Sequence, residues 1–520
     1  MKKTYIDTAM ERIAPDLILK GGNVVDVFSG RVIKADVIIK DGIICGVGSY
    51  SGENEQDVSG KYIMPGFIDS HVHIESSMTQ PSEYAKAVMP HGITTVIADP
   101  HEITNVCGED GLEFMLKSAK NIPLDVNLML PSCVPATPFE HTGANLDAKT
   151  TQKLAPKFFG IGEMMNYPGI VSGDDETLGK LCLDIVDGHA ALLSGHELDA
   201  YASAGIKTDH ECSVVEEMTE KISKGMYILL REGTLSLDVA KLIKGVTPYT
   251  LRRCAFCTDD RFVGEIIRDG SIDHCIRKAV SLGLNNIDAI IMATLNACEI
   301  YGMKNKGAIA PSYVADIVVA DDLNLSSISQ VYKNGKLVCE NGKALFECET
   351  VDNSKVTNTV HLPKISADFF KTDVKDKFDA IELIPESIIT KKVTVSYSDS
   401  LSKVCVIERH HNLGTKGIGF VTNYGITNGA IATSIGHDSH NVIVIGDNDS
   451  DMALAVNTLA TSGGIAVCSE GKVIASMTLD IAGLMSVKSA DEVTREHDNL
   501  YSAAKVLNIT DKITFVNNKK

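Results

Sequence analysis

The stretch 65–75 reads PGFIDSHVHIE, and its two imidazoles, His71 and His73, stand two residues apart at the end of an apolar run. Side chains alternate across a strand, so residues two apart share a face and both rings can reach one ion. Other apolar runs end in the same kind of chemistry: His101 and Glu102 after ITTVIADP, Glu163 in FFGIGEM, His189 in DIVDGHA, His210 in AGIKTDH and Asp259 in CAFCTDD. Imidazole and carboxylate donors without thiolate suit Zn²⁺, Fe²⁺ or Mn²⁺. A carboxylate such as Glu163 can bridge two ions. Ions held this way lower the pKa of water from 15.7 to about 7 and supply hydroxide at neutral pH. A neighbouring carboxylate, Asp259, can then carry the proton to a leaving group.

Such groups act together only if the fold brings them to one place. Between residues 65 and 310, apolar runs recur near 63, 93, 125, 158, 185, 205, 226 and 254, with helical patterns such as GLEFMLKSAKN, ETLGKLCLDIV and SVVEEMTEKISKG between them. Eight strands alternating with helices over about 250 residues predict an α/β fold, a (β/α)₈ TIM-type barrel, whose site lies at the carboxyl ends of the strands. His71, His73, Glu163, His189, His210 and Asp259 would then converge from five strand ends.

Short Val/Ile runs with tight turns occupy 1–64 and return in 311–350, where Asn334-Gly335 and Asn341-Gly342 are hairpin signals. These two segments predict one small split β-sandwich around the barrel. Residues 351–379 read as a linker, and 380–520 as a C-terminal α+β domain with strands KVTVSY, SKVCVIE, NVIVIG and GGIAVC and a closing helix.

The 520 residues carry a formal net charge of −19, which argues against nucleic acid or an anionic membrane as partner. Thirteen scattered cysteines predict reduced thiols rather than a disulfide framework. The N-terminus lacks the apolar core of a signal peptide, and no run reaches the length of a membrane span, so a cytoplasmic location is expected. A homodimer is the expected assembly.

PGFIDSHVHIE, preceded by a β half-domain and followed by GAIAPSYVADIVVADDL, resembles the metal-dependent amidohydrolases. DPHEITNVCGEDG, GIGEMMNYPGI, DGHAALLSGHELDAYASAGIKTDHE, FCTDDR and TNYGITNGAIATSIGHDSHNVIVIGDNDSDM are similar to the bacterial adenine deaminase family within them, and the likeness spans nearly the whole chain. It implies hydrolytic deamination of adenine to hypoxanthine and ammonia, with water as co-substrate and two divalent ions, Mn²⁺, Fe²⁺ or Zn²⁺, held by His71, His73, Glu163, His189, His210 and Asp259. Glu163 stands where several relatives use a carboxylated lysine; Lys153 and Lys157 read as surface residues. Hydroxide would attack C6, and Asp259 with His210, or Glu102, would move protons to the ring and the leaving amine; His101 and Glu102 are candidates for that relay or for recognising the base. Arg231, by position alone, is a candidate for binding the base.

Other signals are weaker. His73-Ile74-Glu75 with Cys254-Ala255-Phe256-Cys257 mimics a cytidine-deaminase zinc signature, but Arg253 replaces its proline and the pleat separates the cysteines. Asp447 to Asp451 begins like an EF-hand loop yet has Met452 at position six, so a helix-capping turn is expected. His196 reads as a loop residue, and GTKGIG lacks a phosphate-loop lysine pattern. His437 and His440 in GHDSHN belong either to a polar loop ahead of a buried strand or to a cover over the barrel mouth that binds substrate. A dihydroorotase-like amidohydrolase on a cyclic amide and a non-catalytic scaffold are the competing readings.

Overall fold

The computed structural model describes residues 2–373, 376–384, 390–396 and 401–509. Tyr397 of KVTVSY and the final stretch 510–520 of the C-terminal unit lie outside them. The run YIMPGFIDS, expected as one strand, is two. Tyr62–Pro65 belongs to an outer sheet and Phe67–Val72 to an inner one, with Gly66 as the joint. A Cβ on Gly66 would lie 2.3 Å from Oγ1 of Thr94, so the close approach of the two segments requires glycine.

The inner layer has eight parallel strands in chain order: β1 (Phe67–Val72), β2 (Ile93–Ala98), β3 (Asp125–Leu130), β4 (Gly160–Met164), β5 (Val186–Gly188), β6 (Thr208–Asp209), β7 (Tyr227–Arg231) and β8 (Cys254–Cys257). β1 to β5 form one sheet and β6 to β8 another. Side chains bridge the β5/β6 seam, where the Gly188 N–H donates to Oγ1 of Thr208 (3.1 Å) and the Ala190 N–H to Oδ1 of Asp209 (2.9 Å). Backbone closes the ring just beyond β8: the Asp259 N–H donates to the His71 carbonyl (2.9 Å) and the His73 N–H to the Asp259 carbonyl (3.1 Å). The ring is the expected barrel. Every residue of β1, β2 and β8 is buried, so these strands show no alternation of buried and exposed faces.

The outer sheet takes Leu17–Asp26, Arg31–Lys40, Ile43–Gly48, Glu55–Asp57 and Tyr62–Pro65 from before the barrel, and four strands between Ile317 and Ala344 from after it. The two sets join where Pro65 pairs with Ile317 and Ile63 with Val319, antiparallel. They share one core of Leu19, Val37, Ile63, Ile317 and Val319. Both Asn-Gly pairs make two-residue hairpins, with positive φ at Asn334, Gly335, Asn341 and Gly342.

An eight-stranded sheet between Lys377 and Thr478 forms the C-terminal unit. Its strands include Lys416–Thr422, so GTKGIG runs into an ordinary strand. The side chain of Asn448 caps helix Asp449–Thr458 by accepting from the Asp451 N–H (2.8 Å), which accounts for the acidic turn there. The stretch expected as a linker carries Val360, Ile365 and Phe370 buried in this unit's core, so apolar anchors hold it against the sheet. Helix Ala490–Ala504 packs Val493 and Leu500 into the core that also holds Tyr84, Val88, Val263 and Ile266 of the barrel.

Two further expectations change. The ETLGKLCLDIV helix stops at Gly179, because Lys180 turns back to donate to the Ser132 carbonyl (3.0 Å). His196, expected in a loop, lies in the first turn of helix Gly195–Ser203 and is fully exposed. Cys254 and Cys257 are buried in different clusters, as the pleat requires, and the thirteen cysteines are all unpaired. No described helix is long and apolar enough to cross a membrane.

Asp273, in helix Ile272–Ser281, braces the barrel wall by accepting from the Ser271 N–H (2.7 Å), Arg277 (2.7 Å) and His91 (3.1 Å). Burial alone would raise its pKa, but the hydrogen bond and charge of His91 and the charge of Arg277 bring it down to about 2. A carboxyl depressed in the folded state contributes stability above its unfolded pKa and loses it as pH falls toward the folded value. Asp273→Asn should therefore cost about 2 kcal/mol at pH 6. In urea unfolding the gap to wild type should narrow as pH drops from about 4 toward 2; a gap that widens would contradict this role.

Candidate metal centre and active site

The strands deliver their carboxyl-terminal side chains to one hollow. His71 is the penultimate residue of β1 with His73 just beyond the strand, Glu163 lies on β4, and His189, His210 and Asp259 follow β5, β6 and β8. Each position has local support. The Nδ1 of His73 donates to the Asp99 carbonyl (2.8 Å), which leaves Nε2 to face the hollow. The Asp99 carboxylate accepts the Glu163 N–H (2.8 Å) and so fixes β4. The His189 N–H donates to the Tyr201 hydroxyl (2.9 Å), which itself donates to the Met164 carbonyl (2.7 Å).

All six predicted ligands come together. Glu163 is the hub: Oε2 lies 2.7 Å from Nδ1 of His189 and 3.1 Å from Nε2 of His210, while Oε1 lies 3.7 Å from Nε2 of His73. Oδ1 of Asp259 is 3.1 Å from Nε2 of His73 and 3.7 Å from Nε2 of His71. The ligand atoms of three trios, His71/His73/Glu163, His71/His210/Asp259 and Glu163/His189/His210, each fall within 4.8 Å of one another. Glu163 is common to the first and third.

The donor set fits divalent cations on two counts. Nδ1 of buried His210 has no hydrogen-bond partner, an arrangement that is costly in a dry interior unless something else occupies it. The electrostatics also call for positive charge. Burial opposes ionisation of Glu163, yet His189, His210 and His101 hold its carboxyl well below the usual range. Burial likewise works against Asp259, but His73 and Arg231 keep it ionised. In return Glu163 raises His189 to about 9 against its burial. Cations in the cluster would replace those protons.

The remaining predicted residues are placed unequally. His101 and Glu102 open helix His101–Lys120; Nδ1 of His101 is 3.2 Å from Oε1 of Glu163, and its Nε2 is 3.3 Å from Oε1 of Glu102. The loop with His437 and His440 stands at the barrel mouth. Nδ1 of His437 is 2.8 Å from Oε1 of Glu102, and the ring of His440 meets the other oxygen of the same carboxylate. His437 lines the hollow, whereas His440 is buried behind it. Arg231 lies in the wall, but its guanidinium is committed to Asp259 (2.9 Å), Asp238 (3.1 Å) and Glu211. At the hollow's wall its charge is thus shared among three carboxylates.

The hollow, of about 320 Å³, is also lined by Met165, Glu211, Thr234, Ser236, Asp260 and Asp438, none of which the sequence singled out for a role. Glu211 and Asp260 each sit next to a candidate ligand at a strand end, and that adjacency was the available signal. A larger hollow of about 1180 Å³ behind Cys133 and Met165 contains none of the predicted site residues.

The amidohydrolase family model matches residues 62–338 and the adenine deaminase C-terminal domain model residues 383–518. The chain is similar to an adenine deaminase of Clostridium acetobutylicum, 46% identical over 98% of this chain and 92% of that protein. It is similar to adenine deaminase 2 of Desulfotalea psychrophila, 44% identical over 96% and 91%. Among solved structures, enamidase aligns with a TM-score of 0.48 and 19% identity over 63% of this chain and 96% of its own. With both family models and near full-length relatives matching, the chain belongs to the adenine deaminase family of amidohydrolases.

Proposed function

We propose that the chain hydrolyses adenine to hypoxanthine and ammonia, a purine-salvage step, with His71, His73, Glu163, His189, His210 and Asp259 holding two divalent ions, Mn²⁺, Fe²⁺ or Zn²⁺. The observation that supports it best is Glu163 in contact with imidazoles from both sides of the barrel mouth, in a chain whose curated relatives are named adenine deaminase. The identity of the base comes from those relatives. Ions bound there would lower the pKa of water toward neutrality and supply the nucleophile.

The protein's own groups manage geometry and protons. Water's oxygen bonds to C6, the bond from C6 to the amino nitrogen breaks, and the amine leaves as ammonia after gaining a proton. Asp259, gripped by Arg231 at 2.9 Å, is placed to take the water proton and return it to the amine. Glu102, held ionised against its burial by His437, His440 and His101, is placed to relay water's other proton to the purine ring as its aromaticity is lost, so that the two protons of water end on the amine and on the ring. The thirteen unpaired cysteines suit a reducing compartment, and we assign the chain to the cytoplasm.

The test is ammonia release from adenine, with cytosine and dihydroorotate as control substrates. Adenine alone should turn over, activity should vanish after exhaustive dialysis against a chelator, and a divalent ion should restore it. Turnover of dihydroorotate in preference to adenine would favour the cyclic-amide reading, and no turnover of any substrate by metal-loaded protein would favour a scaffold.

A further inference from the structure

Among the described residues, Arg409 is the largest side chain with no exposed surface. Among the described residues it forms no ion pair with a carboxylate. Its guanidinium bonds only neutral oxygens: the His440 carbonyl through Nε, Oγ1 of Thr359 through Nη1 (3.1 Å) and the Ala482 carbonyl through Nη2 (2.9 Å). A buried charge without a counter-charge is unfavourable, and an apolar side chain would fill the same space without that penalty. The three acceptors lie on separate segments of the C-terminal unit, and two further contacts tighten the arrangement. The Arg409 N–H donates to Oδ1 of Asn441 (3.3 Å), and a Cβ on Gly483 would come within 2.6 Å of Nη1.

What this bracket holds is the turn from Gly436 to Asn441. The His440 N–H donates to the Gly436 carbonyl (2.7 Å), and the Gly436 N–H points at Nδ1 of His440 (3.4 Å). With Nδ1 serving as acceptor, the His440 proton is on Nε2, where it donates to Glu102. Asn441 ties the same turn to the barrel by donating to the His141 carbonyl (2.8 Å). His437 and Asp438, on the same turn, line the hollow.

We infer that Arg409 is a positioning residue for catalysis: by clamping the His440 carbonyl it fixes the turn that aims His440 and His437 at the two oxygens of Glu102. The inference rests on the proposed role of Glu102 in adenine deamination. A carboxylate misplaced by about 1 Å can cost about 100-fold in rate. Arg409→Met should therefore lower kcat for adenine by about 100-fold with little change in KM, and Arg409→Lys, which can still donate to a carbonyl, should recover part of the loss.

A double-mutant cycle separates positioning from bulk stability. If Arg409 acts through Glu102, Arg409→Met should cost little more in a Glu102→Gln background, where a merely structural role would add its full cost. Independently of activity, hydrogen exchange in Arg409→Met should rise in peptides covering 434–441 and 101–106 and stay unchanged on β3 and β4. Should Arg409→Met fail to fold, Thr359→Val removes one of the three acceptors and should raise exchange in the same two peptides. Additive costs in the cycle, or unchanged exchange at 434–441, would overturn the inference. Wild-type protein that releases no ammonia from adenine would instead overturn the functional reading, and the exchange data would still report on the bracket.

Discussion

Glu163→Gln is expected to empty the site. The amide keeps the shape of the side chain but removes the one carboxylate that lies within 3.7 Å of His73, His189 and His210 together. Removing one partner of a buried ionic cluster costs about 3–5 kcal/mol, which in cation affinity is a loss of about 10³-fold. Metal analysis after dialysis should show the variant largely stripped under conditions where wild type stays loaded, with ammonia release falling in proportion. A variant with its full metal complement and wild-type turnover would show that Glu163 is not the hub.

Asp259→Asn should separate holding ions from moving protons. The amide keeps the shape of the side chain and one oxygen that can face His73, at the cost of the Arg231 hydrogen bond, and the other five ligands keep the metal. It cannot accept a proton at neutral pH, and loss of a general acid–base group lowers kcat by about 10³-fold. The informative result is low turnover at full occupancy. Wild-type kcat at full occupancy would transfer the proton role to Glu102 or His210.

The barrel and the cluster of side chains at its mouth were legible because both are local signals read one strand at a time. Each apolar run that carries a candidate ligand is short, ends in an imidazole or carboxylate, and needs no knowledge of its neighbours. Where that logic meets a contact between distant segments it stops. Nothing local marks Gly66 as the boundary between two sheets, because apolar residues continue across it from Tyr62–Pro65 into Phe67 and Ile68; the pairing partner of the first strand, Ile317–Ala320, distinguishes them. Arg231 illustrates the same limit in the site. Its place at a strand end was readable, while its commitment to Glu211, Asp238 and Asp259 depends on loops folding back over the barrel mouth. The two readings of GHDSHN could not be separated for the same reason, since His440 and Glu102 are 338 residues apart.

The junction at Gly66 bears on how the chain is made. Its N–H donates to the carbonyl of Asp316 (2.9 Å), so the chain leaves the outer sheet for the barrel and returns to it at adjacent points. During translation, Tyr62–Pro65 emerges from the ribosome long before Ile317–Ala320 exists, and until then it presents an apolar, unpaired edge. Such an edge pairs readily with another nascent chain. The pace at which the intervening barrel is synthesised and compacts therefore sets how long each molecule stays open to aggregation.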